Sequence, residues 1–280
     1  MIRKNKHARR HTTPPSTPRP QPRRLHSEAP VVAQIWDGGK FHWDTPGAHT
    51  VISGATRSGK SVFTYCVLSQ LAGMKTVCIC GVDVSGITLQ PFSQANKDYV
   101  ACGSSQTDLD AALEVLHRLE ALMDHRIEQL RHHKLDKVTL SAQCPAYVVV
   151  LEEYAGALAA MEGRNKKDKA EVIRIVGRLL REGAKAGVVV YTVIQRPEAN
   201  VLHDRAQYAR RVTHRLDNHD SVKMVAGEVD EDTETQVLKL APGRCLVLDA
   251  GRDPVFVTTP HLSYQEFITR VEQKLKGAQK

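Results

Sequence analysis

No apolar run in this chain of 280 residues approaches the ~20 residues that a helix needs to cross a bilayer. The basic N-terminus is followed by no apolar stretch, so it does not read as a secretory leader. The six cysteines, Cys66, Cys78, Cys80, Cys102, Cys144 and Cys245, are scattered. Cys78 and Cys80 stand in an apolar run with no second pair at metal-site spacing. Buried reduced thiols in a reducing compartment are therefore expected, rather than zinc or disulfides. The cytoplasm is the expected location, with recruitment to a membrane left open. No internal repeat is visible. Net charge is also scarce over most of the chain. Of the net +8, residues 1–30 hold +7, eight Lys and Arg against Glu28, which leaves +1 for everything after them.

That first segment also holds Pro14, Pro15, Pro18, Pro20, Pro22 and Pro30. A basic, proline-rich stretch without apolar periodicity cannot offset its ordering entropy, so residues 1–30 are expected to be a disordered tail. Such a tail can grip nucleic acid or an anionic membrane surface, or act as a solubilising linker. Residues 31–280 have the length and the 41% hydrophobic content for a sizeable core, and are expected to form one domain.

The most informative segment is Gly54-Ala55-Thr56-Arg57-Ser58-Gly59-Lys60-Ser61, which fits the phosphate-binding pattern G-x-x-x-x-G-K-[ST]. An apolar run, 49–53, leads in as a buried strand, and 61–68 leads out as a helix. A strand feeding a glycine-rich turn and then a helix aims main-chain N–H groups and a helix N-terminus at a phosphate. Lys60 is expected to reach the β- and γ-phosphates of ATP, and the Ser61 hydroxyl to ligate Mg²⁺.

The rest reads as alternating strands and helices. Val31–Ile35 and a return strand from Phe41 suggest a hairpin around Asp37-Gly38-Gly39-Lys40. A strand from Thr76 ends at Asp83. Thr107 and Asp110 suggest a capping box opening a long helix whose apolar stripe is Leu109, Leu113, Leu116, Leu119, Met123, Ile127 and Leu130. Arg118, Glu120, Arg126 and Glu128 are expected mostly on other faces. Ala146–Leu151 and Val188–Ile194 read as central parallel strands buried on both faces, joined by a helix from about Lys169 to Ala186 that stops at Gly187. A short helix is expected near 220–226, strands at 244–248 and 254–258, and a last helix capped by Ser263. The fold class is α/β, a mainly parallel central sheet with helices on both faces and an N-terminal β-hairpin addition.

Two strand tips add chemistry. The first ends in Glu152-Glu153: one carboxylate to hold the Mg²⁺ shell near Ser61, the next to orient and deprotonate a water for attack on the γ-phosphate. Aspartate is usual at the first position. The second tip, Ile194-Gln195-Arg196-Pro197, offers an amide that can sense the γ-phosphate. Each tip taken singly is also ordinary strand-end chemistry.

These segments, in this order, resemble the FtsK/SpoIIIE family of DNA-pumping ATPases. The similarity runs through Phe41-His42-Trp43-Asp44 and 48–54, Gly81-Val82-Asp83, 119–126, Glu152-Glu153-Tyr154-Ala155, the strand ending in Gln195-Arg196-Pro197, 211–216 and Asp220-Ser221. It covers roughly residues 31–262. The resemblance implies a RecA-like P-loop core assembled as a homo-hexamer around double-stranded DNA. Lys60 and Ser61 then bind phosphate and metal, Glu152 takes the metal-shell position, Glu153 becomes the catalytic base and Gln195 the sensor. The implied function is an ATP-dependent duplex translocase in DNA transfer or segregation. Alternatives are a nucleotide-gated, non-hydrolysing DNA-binding adaptor and a secretion ATPase with protein cargo. A motor without the family's membrane segments or winged-helix module looks like the plasmid-transfer branch related to TraB in actinobacteria, with a membrane-associated partner possible.

Four positions depart from the family pattern: Arg57 for glycine, Glu152 for aspartate, Ile194 for threonine, and no arginine within 182–187. Arg178, Arg181 and Lys185 are candidate substitutes for that arginine, which a neighbouring subunit supplies to the transition state in such rings. Arg164, Asn165, Lys166, Lys167 and Lys169 read equally as DNA phosphate contacts or as a solvated helix start.

Overall fold

A computed structural model of the protein describes residues 29–44 and 47–278. All but the last two residues of the segment expected to be a disordered tail lie outside the described residues. In chain order the strands are β1 (Val31–Ile35), β2 (Lys40–His42), β3 (Thr50–Ser53), β4 (Val77–Asp83), β5 (Val100–Cys102), β6 (Ala146–Glu152), β7 (Val188–Ile194), β8 (Arg210–His214), β9 (Arg244–Asp249) and β10 (Val255–Thr258). The helices are α1 (Lys60–Leu71), α2 (Gln106–His133), α3 (Tyr154–Arg164), α4 (Lys166–Glu182), α5 (His219–Ala226), α6 (Glu231–Leu238) and α7 (Tyr264–Ala278).

All ten strands form one sheet in the order β2-β1-β10-β9-β8-β3-β7-β6-β4-β5. From β8 to β5 every pairing is parallel. From β8 to β2 every pairing is antiparallel, so the β1–β2 hairpin extends the far edge. Every residue of β7 and all but Tyr147 of β6 are buried. Strands of that kind need cover on both faces, and their unbroken apolar runs reflect it. The parallel register brings Ser53 opposite Ile194 and Thr213, and Asp83 opposite Glu152. The carboxyl ends of five strands therefore share one edge, where open α/β sheets place their ligand sites.

Several boundaries differ from the sequence expectation. The cap of α2 is Ser105, whose Oγ accepts from the Asp108 N–H at 3.3 Å while the Asp108 carboxylate accepts from the Ser105 N–H at 2.9 Å. That Ser-x-x-Asp box places the cap two residues before Thr107. The α2 stripe is buried except for half-buried Leu113 and Ile127. Glu120 and Arg126 are also buried, against expectation. Glu120 accepts from Arg174 and Arg178 of α4, and Arg126 donates to the Ala186 and Pro145 carbonyls. Long polar side chains beside an apolar stripe are covered when a second helix packs there and supplies partners.

The helix expected from Lys169 begins at Lys166, capped by the Asn165 side chain, which accepts from the Lys167 N–H at 2.9 Å. An alanine-rich helix, α3, precedes it. Gly187, with φ +69, terminates the following turn as expected.

Candidate nucleotide site

The phosphate loop spans the β3–α1 junction and is gripped from three sides. The Gly54 N–H donates to the Ile194 carbonyl at 3.3 Å, the Ala55 N–H donates to Arg215 at 2.9 Å, and the Ser58 carbonyl accepts from the Gly243 N–H at 2.9 Å. Its outer glycines cannot be replaced without moving that frame. A Cβ on Gly54 would stand 2.6 Å from His214 Cβ, and one on Gly59 would stand 2.4 Å from the Gly243 nitrogen. Helix α1 starts directly after Gly59, with no side-chain cap and no acidic residue in its first turn. Its leading N–H groups and dipole are therefore available to an anion.

Lys60 and Glu152 are both buried, with Nζ 4.0 Å from Oε1. Burial pushes the Glu152 carboxyl up to about 7; Lys60 opposes that shift, and Asp83 and Glu153 add to it. Glu152 Oε2 is buried without a hydrogen-bond partner. Ser61 is exposed at the start of α1. Among the described residues there is no cluster of three or more His, Cys, Asp or Glu able to hold a metal. The orphaned oxygen and the Ser61 hydroxyl fit a hard cation whose remaining ligands are water and phosphate oxygens. Asp83 is fully buried, and its carboxylate accepts from Ser85 N–H and Oγ–H, Gly86 N–H and Leu89 N–H at 2.7–3.1 Å. It builds the loop after β4.

Glu153 and Gln195 meet as expected from their strand tips. Gln195 Nε2 donates to Glu153 Oε1 at 2.8 Å. The Thr56 hydroxyl donates to Gln195 Oε1 at 3.4 Å, so one chain of contacts joins the phosphate loop to both tips. Only three described non-glycine residues adopt positive φ: Arg57 at +63, Lys134 at +55 and Glu153 at +47. Two of the three belong to this site, where strained backbone tends to concentrate.

Sequence reasoning missed His214. It is fully exposed to no solvent at the end of β8 and stacks edge-on with Phe63 of α1, ring centroids 5.6 Å apart. Its ring faces the main chain at Ser58 and Arg244, and burial together with the nearby Lys60 lowers its pKa to about 3. It is thus a neutral prop beneath the loop. A histidine at a strand end signals this only once β8 is known to lie beside β3.

Most of the basic cluster is already engaged. Arg164 pairs with Asp110 and Asp168, Lys169 pairs with Glu162, and Asn165 caps α4. Lys166 and Lys167 are exposed. The arginines considered for the neighbouring site are paired too: Arg178 with Glu120, Asp124 and Glu182, and Arg181 with Asp204. Lys185 is exposed. A cavity of about 920 Å³ between α5 and α6, lined by residues such as His219, Lys223 and Glu234, lies apart from the phosphate loop.

The sequence profile of the FtsK/SpoIIIE family matches residues 4–201. The transfer protein TraSA of Streptomyces ambofaciens is 25% identical over 277 residues, covering 91% of this chain and 64% of that protein. The chain thus spans less than two thirds of that relative. The monomer of the pCW3 conjugation coupling protein TcpA, solved with ATPγS, superposes with a TM-score of 0.73 at 21% identity, over 90% of this chain and 70% of that one. The cytoplasmic domain of the Thermomonospora curvata type VII secretion ATPase EccC gives 0.64 at 22% identity, over 92% and 32%. At these identities the structural likenesses establish the fold.

Proposed function

The chain belongs to the FtsK/SpoIIIE family, and from that premise we propose that this ATPase drives double-stranded DNA during conjugative transfer, working as a homo-hexamer. The observation that carries the reading is the chain of contacts Thr56–Gln195–Glu153. It ties the phosphate loop to a carboxylate and an amide on two other strands, which is what coupling hydrolysis to movement requires. The main-chain N–H groups of 54–61 and the Lys60 ammonium hold the β- and γ-phosphates. Ser61 and Glu152 are assigned to Mg²⁺, which when bound neutralises phosphate charge. Gln195 Nε2 donates to Glu153 Oε1 at 2.8 Å. A γ-phosphate competes for that amide and releases the Glu153 carboxylate to accept the proton of the attacking water. The same exchange is the signal passed to the loop after β7.

ATP turnover measured with and without linear duplex DNA, alongside particle size with nucleotide, tests the reading. Duplex DNA should stimulate turnover and nucleotide should favour the ring. Lys60→Ala should lower kcat by about 10²-fold or more, as loss of a charge-stabilising donor does. A ring without DNA-dependent turnover would sink the proposal. The likeness to EccC favours a second reading, a protein-secreting ATPase. Tight, salt-dependent DNA affinity argues against it. Among the described residues no helix is long and apolar enough to cross a membrane.

A further inference from the structure

Arg57 stands at φ +63 in the middle of the phosphate loop. A side chain is costly there and glycine is not. The residue is exposed, and among the described residues no carboxylate lies within 4.0 Å of its guanidinium and no side-chain hydrogen bond engages it. Its neighbour Thr56 donates to Gln195, which in turn holds Glu153. An unneutralised cation therefore sits one residue from the contacts that join the phosphate loop to Gln195 and Glu153. The arginines of α4 are differently placed. Arg174, Arg178 and Arg181 are each tied to at least one carboxylate within the chain. At the β7 tip, Arg196 faces Asp217 at 3.8 Å, and Lys60 already faces Glu152.

Phosphoryl transfer concentrates its electrostatic demand on the γ-phosphoryl oxygens, and an arginine in cis or in trans commonly meets it. We propose that Arg57 is that arginine, acting in cis on the nucleotide held by its own loop. The step is ordinary hydrolysis. A water oxygen bonds to the γ-phosphorus, the bond to the ADP oxygen breaks, and the water proton passes to Glu153. The Arg57 guanidinium keeps its protons and stabilises the charge on the transferring group. The inference rests on the proposed ATP-hydrolysing site and adds a role for a side chain whose main chain alone was assigned to phosphate.

Arg57→Gly and Arg57→Lys test it in the full chain. Basal kcat and KM, affinity for the non-hydrolysable analogue AMPPCP, and Tm would be measured for each. Arg57→Gly should lower kcat about 10²-fold, leave AMPPCP affinity within about threefold, and hold or raise Tm, because glycine suits φ +63. Arg57→Lys keeps the charge without the planar fork and should fall between. An unchanged kcat would overturn the proposal. So would a loss confined to KM, or a lowered Tm that makes the residue structural. Wild-type turnover that ignores DNA would overturn translocation while leaving this comparison intact. A wild-type chain without turnover would overturn both.

Discussion

Glu152 is 4% exposed, and its carboxyl titrates near 7 because burial disfavours the anion more than Lys60 restores it. Since the folded value lies above the ordinary glutamate value of 4.5, the folded chain holds this proton more tightly than the unfolded chain. The resulting stability is complete below pH 4.5 and is lost as pH rises to about 7, a change of about 3 kcal/mol. Glu152→Gln should remove that pH dependence, so that urea midpoints at pH 5 and pH 8 converge relative to wild type. An unchanged dependence would place the titration elsewhere. With Mg²⁺ and nucleotide bound, the carboxylate is the useful form, and metal-dependent nucleotide affinity should weaken as pH falls through 7. The residue identities of this site were legible in the sequence, because Lys60, Ser61, Glu152, Glu153 and Gln195 sit at strand tips and in a spaced motif. The left-handed backbone at Arg57 and Glu153 was not, since nothing in either side chain encodes it.

Helix α1 is fastened at both ends, and each fastening has its own consequence. At its start the 241–244 turn presses on Gly59, where a Cβ would meet Gly243 backbone at 2.4 Å. Gly59→Ala should therefore disrupt the loop and abolish analogue binding, read by titration with AMPPCP. At its end Lys274 Nζ of α7 donates to the Ser69 carbonyl at 2.7 Å and reaches Gln70 at 3.5 Å, placing a cation at the negative end of the helix dipole. Lys274→Met keeps the stem and loses the charge. It should cost about 0.5–1 kcal/mol in urea unfolding with nucleotide affinity retained. The strands divide by the same physics. β6 and β7 were legible because burial on both faces demands unbroken apolar residues. β8 was not, since its buried Arg210 and His214 look like surface residues until their neighbours are known. Arg210 is bonded to Asp249 at 2.5 and 3.1 Å and lies over the Trp43 ring at 4.3 Å. α3 was missed for a related reason: its alanines and glycines show little periodicity, although the alanines have ample helix propensity.

Net charge is distributed unevenly over the whole molecule. The parallel half of the sheet carries the phosphate loop and both strand tips, while residues 31–280 together hold only +1 of the net +8. The remaining +7 lies in residues 1–30. Sequence-independent affinity for DNA scales with the number of phosphates neutralised, at about −0.9 in the logarithmic salt slope for each. If the chain holds duplex DNA mainly through that segment, deleting residues 1–28 should flatten the salt slope by several units and raise the DNA concentration for half-maximal ATPase stimulation. Basal turnover should stay within about twofold, because every residue assigned to hydrolysis lies in the phosphate loop, at the start of α1 or at the tips of β6 and β7, outside the deleted segment. Fluorescence-anisotropy titrations of a labelled duplex at several salt concentrations, paired with ATPase assays, measure both. A truncated chain with an unchanged slope would move the grip to groups such as Lys166 and Lys167 on the folded surface. Lost basal turnover would instead show that grip and power are not separable in this chain.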